Sequence, residues 1–294
     1  MGSGFKDWTA GDVLTAADVD GYLMRQTVMT FADSSARDTA LSGVLDEGMV
    51  AYLEDVDQFT TYDGSSWVVT GNAGVASYRY VQTVDFTSSG TFTKATYPWL
   101  RAVRIRLVGG GGGGGGCEGT INGDSTSVAK GGNGGGSGYA EAFVLESSLS
   151  SSETVTVGAG GSGGSSGNNA GSNGGTSSFG SHCVAGGGDG GGGGAQDTHP
   201  IVVDNGAAGD GTTGDLLLEG NQGPSTLIMQ DSIGFSYTGW SVFGSGRSVG
   251  VFRHTGASGK DYGGGGSGAT STSQNVGRAG GTGGPGIVIV ELYA

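Results

Sequence analysis

The sequence predicts a mainly β protein that also contains polyglycine-II structure: a small α+β module at the N-terminus, a β-strand connector and a glycine-rich sandwich domain. Glycine occupies 68 of the 294 positions, about three times an average usage of roughly 7%. Residues 109–286 hold 58 of those glycines in 178 positions, about one in three, so a conventional side-chain core is not expected there. On either side of that region apolar residues alternate with period two, as half-buried strands require. The division expected is 1–75 for the N-terminal module, 76–108 for a connector that pairs with 286–294, and 109–294 for the glycine-rich domain. An aromatic insertion lies at about 215–262.

Residues 1 to about 70 carry 12 acidic and 3 basic side chains with ordinary glycine content. Thr15-Ala16-Ala17-Asp18 has the form of a capping box, and Val19 and Leu23 then fall four apart on one helical face, which predicts a short helix over 16–26. Ser35-Ala36-Arg37-Asp38 repeats the start signal on a smaller scale. Short strands are expected over 49–53, 59–62 and 67–69, with Asp63-Gly64 turning the chain between the last two.

In 76–108, Tyr78, Tyr80, Val84, Phe86 and Phe92, then Val103, Ile105 and Leu107, mark strands. The turn at Ser88-Ser89-Gly90 and Pro98 interrupt them. Arg104 and Arg106 alternate with the apolar set, so one face of that strand is wet. At the other end of the chain 286–293 is one apolar strand, and 101–108 is its best partner.

The glycine region is not collagen, which needs glycine at every third position and abundant proline; the whole chain has 4 prolines. It differs from a flexible linker in its embedded apolar pieces, such as 139–145, 155–157 and Ser178-Phe179. Ordering glycine costs more backbone entropy than ordering any other residue. Side-by-side polyproline-II-type helices compensate, because only glycine lets backbones approach closely enough for N–H and Cα–H contacts to neighbouring carbonyls. The runs 109–116, 131–138, 158–164, 186–194, 263–268 and 280–286 fit that lattice, with their loops clustering at one end.

Charge limits the partners. Thirteen Lys and Arg against 27 Asp and Glu give a net charge of −14, the wrong sign for binding nucleic acid through its phosphates. No apolar run approaches the roughly eighteen residues of a membrane span, so no membrane insertion is expected. The N-terminus shows no basic region followed by an apolar one, the mark of a secretory signal. Cys117 and Cys183 do not make a disulfide framework for so long a chain; they are either two buried thiols or one bridge across glycine segments.

Candidate chemistry is sparse. Gly109 to Gly116 satisfies a dinucleotide fingerprint formally, as any eight glycines do, but 117–123 lacks the helix that would face a pyrophosphate. The segment 256–261 lacks the spacing of a phosphate loop. His182, His199 and His254 show no zinc spacing. Asp189, Asp197, Asp204, Asp210 and Asp215 read as solvated loop residues without the repeat that binds calcium. No catalytic residue, cofactor or metal is therefore assigned.

The most distinctive local feature is 233–254, which concentrates aromatics in a region otherwise poor in them. Tyr237, Trp240, Phe243, Arg247, Phe252 and Arg253 are candidate contact residues, since Trp, Tyr and Arg supply rigid contact area at low entropy cost. The alternative is a half-buried hairpin that caps the glycine sandwich or meets another subunit.

Two stretches resemble known families. The segment 8–23, with 48–53 and 62–67, is similar to the N-terminal module of minor tail and tail-fibre proteins of bacteriophages, particularly those infecting actinobacteria. The remainder, from Gly90-Thr91-Phe92 through Val157-Gly158-Ala159-Gly160-Gly161 to 283–289, resembles the glycine-rich domain at the ends of many tail fibres, and polyglycine sandwiches of some T-even-type tip adhesins. The resemblance implies a non-enzymatic virion component of a tail tip or tail fibre, homotrimeric, joined to other tail proteins through its N-terminal module and binding a host cell-surface glycan or protein. The long insertion departs from those adhesins. Rival expectations are a tail-spike depolymerase acting on envelope glycan and a cellular extracellular glycine-rich adhesin.

Overall fold

The computed structural model describes residues 11, 13, 15–16, 28–72, 78–121, 123–124, 126–198, 201–223, 227–228, 238–247, 253–273 and 276–294. All but the first residue of the helix expected over 16–26 lies outside them. The chain divides into two compact units, Met1–Ser77 and Tyr78–Ala294.

The first unit is a four-stranded sheet with one short helix. Strand β1 (Met29–Phe31) pairs in parallel with β2 (Val50–Leu53); β3 (Gln58–Tyr62) and β4 (Trp67–Asn72) complete an antiparallel meander. Helix α1 (Ser34–Ala40) begins slightly earlier than the Ser35 signal suggests, because the carboxylate of Asp33 accepts the Ala36 N–H at 2.7 Å and caps it. Arg37 is buried: its guanidinium lies 4.4 Å from the Trp67 ring centre and donates to Thr60 Oγ1. The β3–β4 turn closes where Gly64 takes φ +90° and Asp63 accepts the N–H groups of Ser65 and Ser66. Those bonds stabilise the carboxylate and lower its pKa to about 2.

The second unit is mainly β, and its hairpins are prolonged by glycine. Strands β5 (Tyr80–Phe86) and β6 (Gly90–Thr93) precede β7 (Ala102–Val108), which continues into 109–116. After a turnaround, β8 (Ser127–Lys130) opens the return through 131–138 into β9 (Tyr139–Leu145). β10 (Ser152–Thr156) leads outward along 158–164, and 169–175 returns to β11 (Ser177–Phe179) and β12 (Cys183–Ala185). The next excursion runs out along 186–194 to β13 (Gln196–Thr198) and β14 (Ile201–Val202), then back to β15 (Gly211–Thr213) and β16 (Leu216–Leu218). β17 (Leu227–Ile228) pairs with β14, and β18 (Gly244–Ser245) with β19 (Lys260–Asp261). The last excursion follows 263–269 to β20 (Thr270–Thr272) and returns along 278–286 into β21 (Ile287–Tyr293).

At the base two five-stranded antiparallel sheets, ordered β16-β9-β7-β21-β5 and β15-β12-β11-β10-β6, form the sandwich. Val103, Ile105, Leu107, Val288, Val290 and Leu292 from the first share one core with Phe92, Val155, Phe179 and Cys183 from the second. Val290 lies opposite Ile105 on one side and Val84 on the other. The pairing expected between 76–108 and 286–294 is present, with β5 and β7 on either side of β21. The strands of 76–108 belong to the second unit, because β7 needs both β9 and β21 as neighbours, and β5 covers the free edge of β21. Burial of β7 is achieved within one chain.

Beyond the sheets the run 109–116 is the axis of the glycine lattice. Gly109, Gly112 and Gly115 donate to the carbonyls of Gly138, Gly135 and Gly132; Gly110, Gly113 and Gly116 donate to Gly175, Ser172 and Asn169; Gly111 and Gly114 donate to Gly284 and Gly281. In the other sense, the carbonyls of Gly110, Gly113 and Gly116 accept from Gly188, Gly191 and Gly194, those of Gly111 and Gly114 from Gly161 and Gly164, and those of Gly112 and Gly115 from Gly266 and Ala269. Three antiparallel and three parallel neighbours thus surround the axis with a repeat of three residues, the geometry of polyglycine-II. There is no room for a side chain: a Cβ on Gly112 would lie 1.9 Å from the Asp189 carbonyl oxygen, and one on Gly116 1.9 Å from that of Ser165.

The aromatic insertion is likewise built into this lattice where it is described. Gly136 donates to Asn221, Gly239 to Gly134, Gly265 to Gly239, Gly256 to Ala279 and Gly259 to Thr282. These backbone bonds make the described parts of 215–262 around Asn221, Gly239 and 256–259 further chains of the lattice.

Candidate functional site

Among the described residues, four excursions leave the base sheets, cross the glycine lattice and turn at the same far end. The turnarounds are 117–127, 164–169, 194–203 and 270–278, and three of them meet in a three-stranded sheet ordered β13-β8-β20. Backbone bonds fix their roots. Cys117 and Arg278 exchange N–H···O contacts at 2.9 and 3.0 Å, Gly167 donates to the Cys117 carbonyl, and Glu118 donates to the Gly194 carbonyl while its carboxylate accepts from Gln196 N. Asp124 caps its own turn by accepting from Thr126 N and Oγ1.

Beneath this surface Cys117, Ala129 and Ala269 pack together, fully buried. Lys130 is buried beside them, 3% exposed, and its ammonium donates to the carbonyls of Gly131 at 2.7 Å and Gly268 at 3.2 Å, linking two lattice chains. Burial lowers its pKa from 10.5 to about 8, and burial raises that of the Cys117 thiol. The outer layer differs in character: Ile121 is 56% and Val276 53% exposed, with Gln196, Asp197 and Thr198 also exposed.

The structure distributes the candidate contact residues of the insertion. Tyr237 and Phe252 lie outside the described residues. Trp240 is 58% exposed, while its carbonyl accepts from Asn221 in the lattice. Phe243 packs edge-on against Tyr139, ring centres 5.6 Å apart, in a cluster with Val108, Ile287 and Tyr262 on the base sheet. Arg247 is exposed. Arg253, at φ +54°, donates from Nε to the Thr272 carbonyl and so sits against β20 among the turnarounds. The segment therefore spans the length of the lattice, with Phe243 at the base and Arg253 at the far end.

Sequence reasoning did not single out Glu118, Ile121 or Val276 as contact residues, and it read Asp197 as a solvated loop residue. The signal that could have found them is the alternation of paired glycine runs, since whatever separates two antiparallel runs must lie at a lattice end. The two thiols are free, and both are buried. Among the described residues no three His, Cys, Asp or Glu side chains gather closely enough to hold a metal ion.

With this geometry agrees a match of residues 87–293 to the glycine-rich domain family. That span is more than two thirds of the chain, and the protein belongs to that family. No curated protein matches it.

Proposed function

We propose that the protein is a non-enzymatic structural component of a bacteriophage tail tip or tail fibre and takes part in host-surface recognition through loops of its glycine-rich domain. The observation that carries this reading is the gathering of four turnarounds at one end of a lattice held by backbone hydrogen bonds. Loops rooted in such a lattice can change in length and chemistry without disturbing it, which suits them to carry specificity. The resemblance of 8–23, 48–53 and 62–67 to tail-protein modules supplies the context, with the N-terminal unit attaching to other tail proteins. The partner is a host cell-surface glycan or protein. Several copies on one virion, three in a homotrimer, would turn weak contacts into avidity.

The test is binding of the purified, fluorescently labelled chain to a panel of actinobacterial cells. Saturable binding to some strains is expected, reduced at least tenfold when Ile121, Asp197 and Val276 are replaced by serine in a protein of unchanged melting temperature. Replacement of Tyr237, Trp240 and Arg247 by alanine probes the insertion in the same assay. Absence of saturable binding on every strain would contradict the reading, and release of reducing sugar from the cells would favour the depolymerase.

A further inference from the structure

The outer side of the β16-β9-β7-β21-β5 sheet has two halves. Nearer the lattice, Phe243 and Tyr262 cover Val108, Tyr139 and Ile287. The other half is open. Register places Leu145, Ala102, Tyr293 and Tyr80 in one row across four strands and Phe143, Arg104, Glu291 and Thr83 in the next. Tyr78 lies against Phe143, ring centres 5.2 Å apart, and Phe143 and Tyr80 each meet Tyr293, at 5.8 and 6.1 Å. Exposure stays high: Tyr80 53%, Phe143 42%, Leu145 44% and, on edge strand β16, Leu216 46%.

We infer that this half-face is a contact between copies of the chain. Its charges favour that occupant. Arg104 is paired to Glu141 at 2.7 Å and Arg106 to Glu291, so these four formal charges cancel, and Asp85 on β5, in register with Ile289, adds a single negative charge. A chain of net charge −14 repels its own copies, and a contact between copies through a nearly neutral, aromatic surface adds little to that repulsion. Tyr, Phe and Arg are also the residues enriched at the cores of protein interfaces. Half-exposed aromatic and leucine side chains leave roughly 80–100 Å² each, giving a patch on the order of 500 Å², at the upper end for a monomer. Two such patches bury about 1,000 Å², the lower limit of a specific interface, before the Arg and Glu rim is added.

This deepens the reading of a multi-copy tail component, and its test is separable from that reading. Sedimentation of the full chain at micromolar concentration is expected to give a multiple of 28.8 kDa. Tyr80→Glu with Phe143→Glu is expected to reduce it to one chain, with far-UV dichroism and melting temperature unchanged. Ser165→Glu, in the 164–169 turnaround at the far end of the lattice, is expected to keep the wild-type mass. Should the glutamate pair misfold, Tyr80→Ser with Leu216→Ser gives the same readout. A wild-type monomer, or folded variants that retain the wild-type mass, would overturn the inference. So would a monomer whose cell binding is lost in the face variants, since the occupant would then be the cell-surface ligand; a monomer that still binds cells leaves only the function proposal standing.

Discussion

Gly113 and Ser162 approach so closely that a Cβ added to Gly113 would lie 2.0 Å from the Ser162 carbonyl oxygen. The obstruction is backbone, held in register by bonds from Gly113 to Ser172 and from Gly191 to Gly113, so no side chain can swing aside. At Gly192, in a neighbouring chain of the same lattice, an added Cβ would meet its nearest atom, the Asp204 carbonyl oxygen, at an ordinary 3.5 Å.

The two positions should respond with opposite sign to the same substitution. Gly113→Ala is expected to cost about 3 kcal/mol or more, the upper range of overpacking, and to lower the melting temperature by roughly 10 °C. Gly192→Ala is expected to be neutral or to stabilise by about 0.4–1 kcal/mol, because alanine has less unfolded-chain entropy to lose. Equal effects in thermal melts would show that glycine is not required by close approach.

Lys130 makes stability depend on pH in a particular direction. Below about pH 8 the folded and unfolded chains both carry its proton, and the burial cost is felt in full. Between about pH 8 and 10.5 the folded chain sheds that proton first, so this group's contribution to stability rises with pH by roughly 3 kcal/mol. Cys183 acts in the opposite sense: burial raises its thiol from 9.0 to about 12, so the folded chain keeps a proton that the unfolded chain loses. Chemical denaturation of wild type and Lys130→Met isolates the lysine. The difference in unfolding free energy between them should change by roughly 3 kcal/mol from pH 7 to 10.5, and a pH-independent difference would contradict the assignment.

The thiols give a simpler readout. Cys117 and Cys183 are both 0% exposed, and burial raises both pKa values, which suppresses the reactive thiolate. Intact-mass measurement should show no added maleimide on the native protein at pH 7 and two after denaturation without reductant. One or two additions to the native protein would mean that the lattice opens readily.

Much of this fold was legible in the sequence because its devices are local. The alternation of Val103, Ile105 and Leu107, and of Val288, Val290 and Leu292, marks strands directly, and each of the six glycine runs has its place in the lattice. The run 169–175 was missed because it is interrupted. It meets the axis through the carbonyls of Asn169, Ser172 and Gly175, which any residue carries, and close approach demands glycine at Gly171 and Gly174, where a Cβ would lie 2.2 and 2.0 Å from the carbonyl oxygens of Gly113 and Gly110, while Ala170, Ser172 and Asn173 are exposed. Asn221 and Trp240 were hidden for a related reason: they join through backbone carbonyls, which any residue carries. The ion-paired sheet face was half legible. Arg104 and Arg106 announced a wet face, but their partners Glu141 and Glu291 are 37 and 185 residues distant in sequence.

The central claim is that 109–116 is the ordered axis of a backbone-bonded lattice, and native-state amide exchange resolved along the chain tests it most directly. Each of these eight amides donates to a neighbouring chain, so they should exchange only through global unfolding, as slowly as the central strands β7 and β21. Exchange of 109–116 at free-coil rates, while β7 and β21 remain protected, would contradict the account.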